Sequence, residues 1–219
     1  MLLNEKKSQT MIFNTTQKYK FSTRILMRNT PMELVEETKL LGCIISSDLS
    51  WKSNTNMLVK KAYSRMIILH KLYSFNISVS DLILIYTLFI RSFLELNACV
   101  WHYSITQEER QDIERVQKTA LRLILKDEYS TYSVALSTSN LESLDQRREK
   151  LCLKFAFKCL QQDKSKSMFP LNNNKVQDNL RSKEKFLAQH VNTSRLANSS
   201  IPQMQRALNK AISTKNKGQ

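Results

Sequence analysis

Glycine and proline are nearly missing, at two and three of 219 residues. Glycine supplies the positive φ angles and close backbone approach that phosphate-cradling loops need, so a Rossmann or P-loop organisation is argued against from the start. Zinc chemistry lacks its spacing too. Cys43, Cys99, Cys152 and Cys159 form no C-x-x-C pair, and His70, His102 and His190 are scattered. Cys152 and Cys159, seven apart, share one helical face, where small buried thiols are ordinary. No charged-then-apolar leader opens the chain, which predicts a reducing, intracellular setting, nuclear or cytoplasmic and not secreted. The sequence also holds no Asp-Asp pair. Glu36-Glu37, Glu108-Glu109 and Asp127-Glu128 are adjacent carboxylates, but immediate neighbours do not face one site and read as solvated surface.

What the chain has in excess is positive charge: 34 Lys plus Arg against 19 Asp plus Glu, a formal +15. Such an excess is the electrostatic footprint of a protein that meets phosphate backbones. Residues 164–219 alone carry 11 basic and 2 acidic side chains. Low glycine with long 3.6-period patterning predicts a mostly α protein with a small N-terminal β region.

The chain is organised around residues 82–126. Their first half, LILIYTLFIRSFLELNACVW, is the most apolar run in the sequence, and it reads as one helix starting near Ser80 or Asp81. Arg91 and Glu95 are each costly in hydrocarbon, so this is a core helix and no membrane span. In the second half Thr106 and Glu109 have the spacing of a capping box. Ile113, Val116, Ala120, Leu121 and Ile124 then line one face. Acidic residues come early and Arg115, Lys118, Arg122 and Lys126 late, an order that complements the helix dipole.

Around this seam the chain divides into three parts. Residues 1–49 hold short β-branched and aromatic segments between polar turns, three or four strands that resemble the end of a sheet. Residues 50–163 form a helical bundle. It has a helix from Trp51 to about Ser74, with Leu58, Ala62, Leu69 and Leu72 inward, and another opened by Ser143 and Gln146 and running to about Gln162. Its inner face is Leu144, Leu151, Phe155 and Cys159. Residues 164–219 form a basic, partly disordered tail, with a flexible linker over 163–185 and a short helix near 201–212, Pro202 in its first turn.

Taken in order, these segments resemble the carboxy-terminal part of reverse transcriptases of non-LTR retrotransposons. LNEKKSQTMIF is similar to the motif that follows the catalytic aspartates, matched here at Asn4, Lys7 and Ser8. KLLGCIISSDLSW is similar to the primer-grip motif, with Leu41, Gly42, Leu49 and Trp51 in place. Three further runs, at 94–125, 129–136 and 141–158, resemble the thumb and post-thumb signature. The matching positions are Leu94, Trp101, Glu114, Gln117, Leu121, Ile124, Tyr129, Tyr132, Leu144, Arg147 and Arg148. NSSIPQMQRALN resembles the ending of one branch. One departure is a histidine commonly found shortly after the tryptophan that Trp51 matches; Ser53, Asn54 and Thr55 stand there.

The resemblance implies palm-remnant β-hairpins over 1–49, then a helical thumb and connection, then the basic tail. It also implies a partner, an RNA–DNA or primer–template duplex, with no small-molecule substrate and no membrane. Polymerisation in the complete family enzyme is two-metal chemistry with Mg2+ on palm carboxylates. This sequence lacks the Tyr-x-Asp-Asp signature, so no metal ligands or cofactor are expected here, and the isolated chain is expected not to polymerise.

Candidate roles follow residue by residue. Lys7 matches the lysine that neutralises the leaving pyrophosphate in the parent enzyme, and otherwise reads as a solvated lysine beside a strand. Leu41 and Gly42 match the turn that presses on the primer backbone, against a plain turn. Lys60, Lys61, Arg65 and Lys71 lie on the outer face of the thumb helix, where phosphate contacts would position without reading sequence. Trp101, among apolar neighbours, reads as core before it reads as a base-stacking platform. Arg147 and Arg148 oppose the dipole of the helix they open, so each needs a partner, either phosphate or a carboxylate such as Glu142. The alternative function is a non-catalytic helical scaffold, or an inactive relic. The two readings divide on whether these basic residues gather on one surface.

Overall fold

A computed structural model describes residues 8–13, 25–27, 29–172, 185–187 and 191–215. The described chain is mostly helical, with a few short strands before residue 50. β1 (Gln9–Thr10) pairs in parallel with β4 (Glu33–Leu34), and β2 (Leu26–Met27) pairs antiparallel with β3 (Thr30–Pro31). β5 (Glu37–Leu40) and β6 (Cys43–Ser46) form an antiparallel hairpin, with Glu37 opposite Ser46 and Leu40 opposite Cys43. The described strands make three separate two-stranded pieces and no continuous sheet. Pro31 has no N–H to extend its ladder. The strand expected around Tyr19, Phe21 and Thr23 lies outside the described residues.

α1 (Lys52–Tyr73) coincides with the helix expected from Trp51 to about Ser74 and buries Leu58, Ala62, Met66 and Leu69. It is tied to the hairpin by Asn54, whose Oδ1 accepts the Ile44 N–H at 3.1 Å. α2 (Val79–Ile85) is capped by Ser78, which accepts from the Asp81 N–H. The central segment then departs from the single helix expected. A π-helical turn over Tyr86–Arg91 leads into α3 (Ser92–Leu94), and α4 (Ala98–Trp101) follows a break.

The spacing of the buried residues explains the π turn. Leu82, Tyr86, Ile90, Leu94 and Ala98 are each at most 1% exposed, and they recur every four residues. An ideal helix overshoots a full turn by roughly 40° every four residues, so such a row drifts off one face unless a wider turn absorbs the excess. Side chains satisfy two carbonyls there: Ser92 donates to Leu88 O at 2.5 Å and Arg65 to Phe89 O at 2.7 Å. At the break Asn97 is left-handed (φ 52°). The Trp101 indole donates to Leu96 O at 3.0 Å, and the Asn97 amide donates to Leu41 O at 2.8 Å. Nor is the segment apolar-in on every side, since Leu84 and Leu88 face solvent.

α5 (Gln107–Leu125) carries both halves of the Thr106–Glu109 capping box and buries the five apolar positions expected of it. After a 3-10 turn at Lys126–Glu128 come α6 (Tyr132–Thr138), α7 (Leu144–Leu160) and α8 (Asp163–Lys166). α9 (Ser194–Ala197) and α10 (Ser200–Lys215) close the described chain. The largest core joins α1, α2, the π turn and α5. A second core sets Cys152, Ala156 and Cys159 of α7 against Phe169, Phe186, Met204 and Leu208. The tail therefore supplies a packed helix, longer than the 201–212 expected. Asn209 brackets Phe186, its amide making both backbone hydrogen bonds at 3.0 Å. Residues 173–184 of the expected linker lie outside the described residues. Among the described residues no helix is long and apolar enough to cross a membrane.

A polar clasp joins α5, α6 and α7. Gln117, fully buried, accepts from the Tyr86 hydroxyl at 2.7 Å and donates to Tyr132 Oη and Glu142 O, both at 2.9 Å. Glu114 accepts from the Tyr132 hydroxyl and from the backbone N–H groups of Leu144 and Asp145 at 3.1 and 3.3 Å. It thus caps α7 from another helix, where a negative charge is favoured. Burial, then the Glu114 hydrogen bond, push the Tyr132 hydroxyl pKa upward and keep it a donor. Glu114→Ala leaves three donors without their acceptor and is expected to cost on the order of 3 kcal/mol in urea unfolding. A loss below about 1 kcal/mol would show that the clasp is incidental.

Candidate nucleic-acid interface

α1 contains no acidic residue along its 22 positions. Among the described residues no ion pair involves Lys60, Lys61, Arg65 or Lys71. Lys60 and Lys71 are exposed on the side opposite Leu58, Ala62 and Leu69. Lys61 and Arg65 lean toward the π turn. The Arg65 guanidinium lies 4.8 Å from the Phe89 ring centre and 4.4 Å from that of Phe93, and Lys61 Nζ is 5.8 Å from Phe93. The pair Phe89 and Phe93, four apart, makes a seat that charge patterning alone does not reveal. A guanidinium set against two rings and bonded to a carbonyl has already lost much of its side-chain freedom, which reduces the entropic cost of any further contact.

The hairpin tip is the second element. Leu41 has φ 47° and Gly42 φ 91°, both positive, as a two-residue type I′ turn demands. Leucine is a poor occupant of the left-handed region. Its side chain gains nothing from the fold either, being 87% exposed. The turn is held from outside by the Asn97 amide. Gly42 owes its identity to φ and to Leu96, whose Cδ2 would sit 3.2 Å from an added Cβ. The close approach is made by this chain's own leucine.

Arg147 and Arg148 do have carboxylate partners, though Glu142 is neither of them. Arg147 Nε pairs with Glu95 at 3.0 Å, and Glu95 also takes Arg91 at 3.5 Å. Glu142 pairs instead with Lys150. Arg148 is fully buried and so has no route to a phosphate in this fold. Its Nε donates to His102 Nδ1 at 3.3 Å, and its Nη2 lies 3.6 Å from Asp145, which also takes Arg110 at 2.6 Å. The guanidinium stands 5.6 Å from the Trp101 ring, and Trp101 is fully buried core. Lys7 lies outside the described residues.

Sequence reasoning missed the clasp and the His102 cluster. A signal for the first was present: Ile113, Gln117 and Leu121 stand four apart on the inward face, so a glutamine interrupts an apolar row. His102 carried no comparable pattern. Among the described residues no group of three or more His, Cys, Asp or Glu side chains is placed to hold a metal ion.

Two outcomes follow. Leu41→Asn creates the Asn-Gly pair preferred in this turn and is expected to stabilise the fold by about 1 kcal/mol in denaturant unfolding; a destabilised variant would show that the leucine is held for packing. Burial, then Arg148 and Arg110, pull the His102 pKa from 6.5 down to about 3. Between those values the unfolded chain binds the extra proton, so stability falls as pH drops from neutrality toward 3. His102→Gln is expected to flatten the stability-versus-pH slope by up to about 1.4 kcal/mol per pH unit, the limit for one site. Equal slopes would show that His102 is not buried neutral.

Comparison of the chain with protein-family models, with curated proteins and with solved structures finds no match.

Proposed function

We propose that this chain is a thumb-and-connection module of the non-LTR reverse transcriptase kind, which holds an RNA–DNA or primer–template duplex without reading its sequence and without catalysing polymerisation. The observation that carries the reading is α1 itself, an acid-free helix with Lys60 and Lys71 opposite the core and Lys61 and Arg65 on its flank over aromatic rings, none of them in an ion pair among the described residues. Such a face neutralises phosphates and releases counterions, with no donor pattern aimed at base edges. The Leu41 tip adds an apolar contact for the sugar-phosphate edge. A locally disfavoured residue left exposed there is the kind of exception that function leaves in a fold. The sequence order of the matched motifs supports the same reading. With no Asp-Asp pair in the sequence, this chain is assigned no catalytic step.

The rival reading, a helical scaffold, draws on Leu84 and Leu88, which leave an apolar strip of α2 and the π turn in solvent. The two readings separate in one titration. Fluorescence anisotropy with two duplexes of unrelated sequence, across a KCl series, is expected to give equal affinities that fall linearly on a log–log plot. The triple variant Lys60→Gln, Lys61→Gln, Lys71→Gln is expected to reduce the slope by about 2 to 3, at roughly 0.9 per phosphate contact. Leu41→Asn is expected to weaken binding while it stabilises the fold. Affinity unchanged between low and moderate salt, or strong preference for one sequence, would contradict the proposal.

A further inference from the structure

α5 carries a second row of cations, which dipole complementarity does not explain. Lys118 and Arg122 stand four apart on the face of α5 turned away from Ile113, Val116 and Ala120, and Lys126 follows just past the helix, at the start of the 3-10 turn with φ 43°. The dipole acts within the last turn of a helix, so it covers Arg122 and Lys126 and leaves Lys118 without a reason. Each member of the row sits over an aromatic ring from a different position in the chain. Lys118 Nζ is 5.1 Å from the Tyr132 ring centre, the Arg122 guanidinium carbon 5.3 Å from Tyr129, and Lys126 Nζ 3.3 Å from Tyr73. Among the described residues none of the three has a carboxylate within ion-pair distance, although Asp127 and Glu128 follow Lys126 directly.

α7 provides the contrast. Lys150, Lys154 and Lys158 repeat the same spacing on an exposed face, yet Lys150 is paired with Glu142 and, among the described residues, none of the three lies over a ring. Spacing alone is therefore common in this chain, and cations that are both seated on rings and without an ion pair among the described residues occur on α5 and, as Lys61 and Arg65, on α1. Four residues of helix advance about 6 Å, a step that suits successive phosphates of one extended strand. The row is separate from the α1 outer face: Lys126 rests on Tyr73, which packs against the core on the side of α1 opposite Lys71, two residues of helix turning about 200°.

We propose that Lys118, Arg122 and Lys126 form a second phosphate track, separate from the α1 face, which takes the backbone of one nucleic-acid strand. This rests on the nucleic-acid reading above and extends it to a named path. The rings hold the cations in place, so the track is formed before the strand arrives.

The test uses the full 219-residue chain and two probes. One is a blunt RNA–DNA duplex; the other is the same duplex with a single-stranded extension of ten nucleotides. Wild type is expected to bind the extended probe with a steeper salt dependence than the blunt one. Lys118→Gln, Arg122→Gln, Lys126→Gln is expected to abolish that difference, lowering the slope on the extended probe by about 2, at roughly 0.7 per contact for a single strand, and leaving the blunt probe nearly unchanged. The charge-conserving set Lys118→Arg, Arg122→Lys, Lys126→Arg is expected to keep the wild-type slope, which separates lost contacts from a damaged fold. Equal slopes for both probes in wild type, or a Gln set that behaves as wild type while the α1 variant loses slope, would overturn the α5 track alone. No salt-dependent binding of either probe by wild type would overturn the nucleic-acid reading itself. A matched loss when Lys150, Lys154 and Lys158 are changed to Gln would show diffuse charge and also overturn the track.

Discussion

The Glu114 carboxylate is the contact on which the arrangement of the bundle depends. It reaches across from the middle of α5 to the first N–H groups of α7 and takes the Tyr132 hydroxyl on the way. Gln117, one turn along, binds Tyr132 from the other side and reaches Tyr86 in the central segment. Four segments far apart in sequence are thereby fixed in one register by groups that cannot be left unpaired when buried. Apolar packing drives the collapse, but it tolerates sliding; a buried polar network has one satisfied arrangement. Of the positions singled out in the sequence, Glu114, Gln117, Tyr132, Leu144 and Arg148 are internal ones. Their pattern bears on how the bundle is built, and the contact surface lies elsewhere.

That division also sorts the basic residues. Arg148 is spent inside, against His102, Asp145 and Trp101. Arg147 is partly spent on Glu95. α1 has no acid of its own, and among the described residues its lysines make no ion pair. Burying a charge in one helix and leaving another uncompensated concentrates the outward charge of the bundle where no interior partner competes for it.

Much of the helical frame was legible in the sequence, because periodicity and capping are local. The Thr106–Glu109 box, the inward face of α5 and the span of α1 stand as expected. The central segment was misread because its apolar residues recur at four, slightly longer than the 3.6 of an α-helix and close enough to pass for one, and the π turn that accommodates it has no composition signature. The break at Asn97 depends on Leu41, 56 residues away in sequence, which no local pattern contains. Arg147 finds its partner on another element, in Glu95, whereas Arg148 meets Asp145 one turn away in α7 and His102 across the fold. The aromatic seats of Arg65 and of the α5 cations arise only once helices pack.

Lysine footprinting tests the central claim most directly. The chain is labelled with an amine-reactive ester in the absence and presence of a saturating RNA–DNA duplex at low salt, and modification is read residue by residue by mass spectrometry. The expected result is protection of Lys60, Lys61 and Lys71 with Lys154 and Lys158 of α7 labelled as before. Protection spread evenly over all exposed lysines, or absent from α1, would contradict the assignment of that helix as the face that holds nucleic acid.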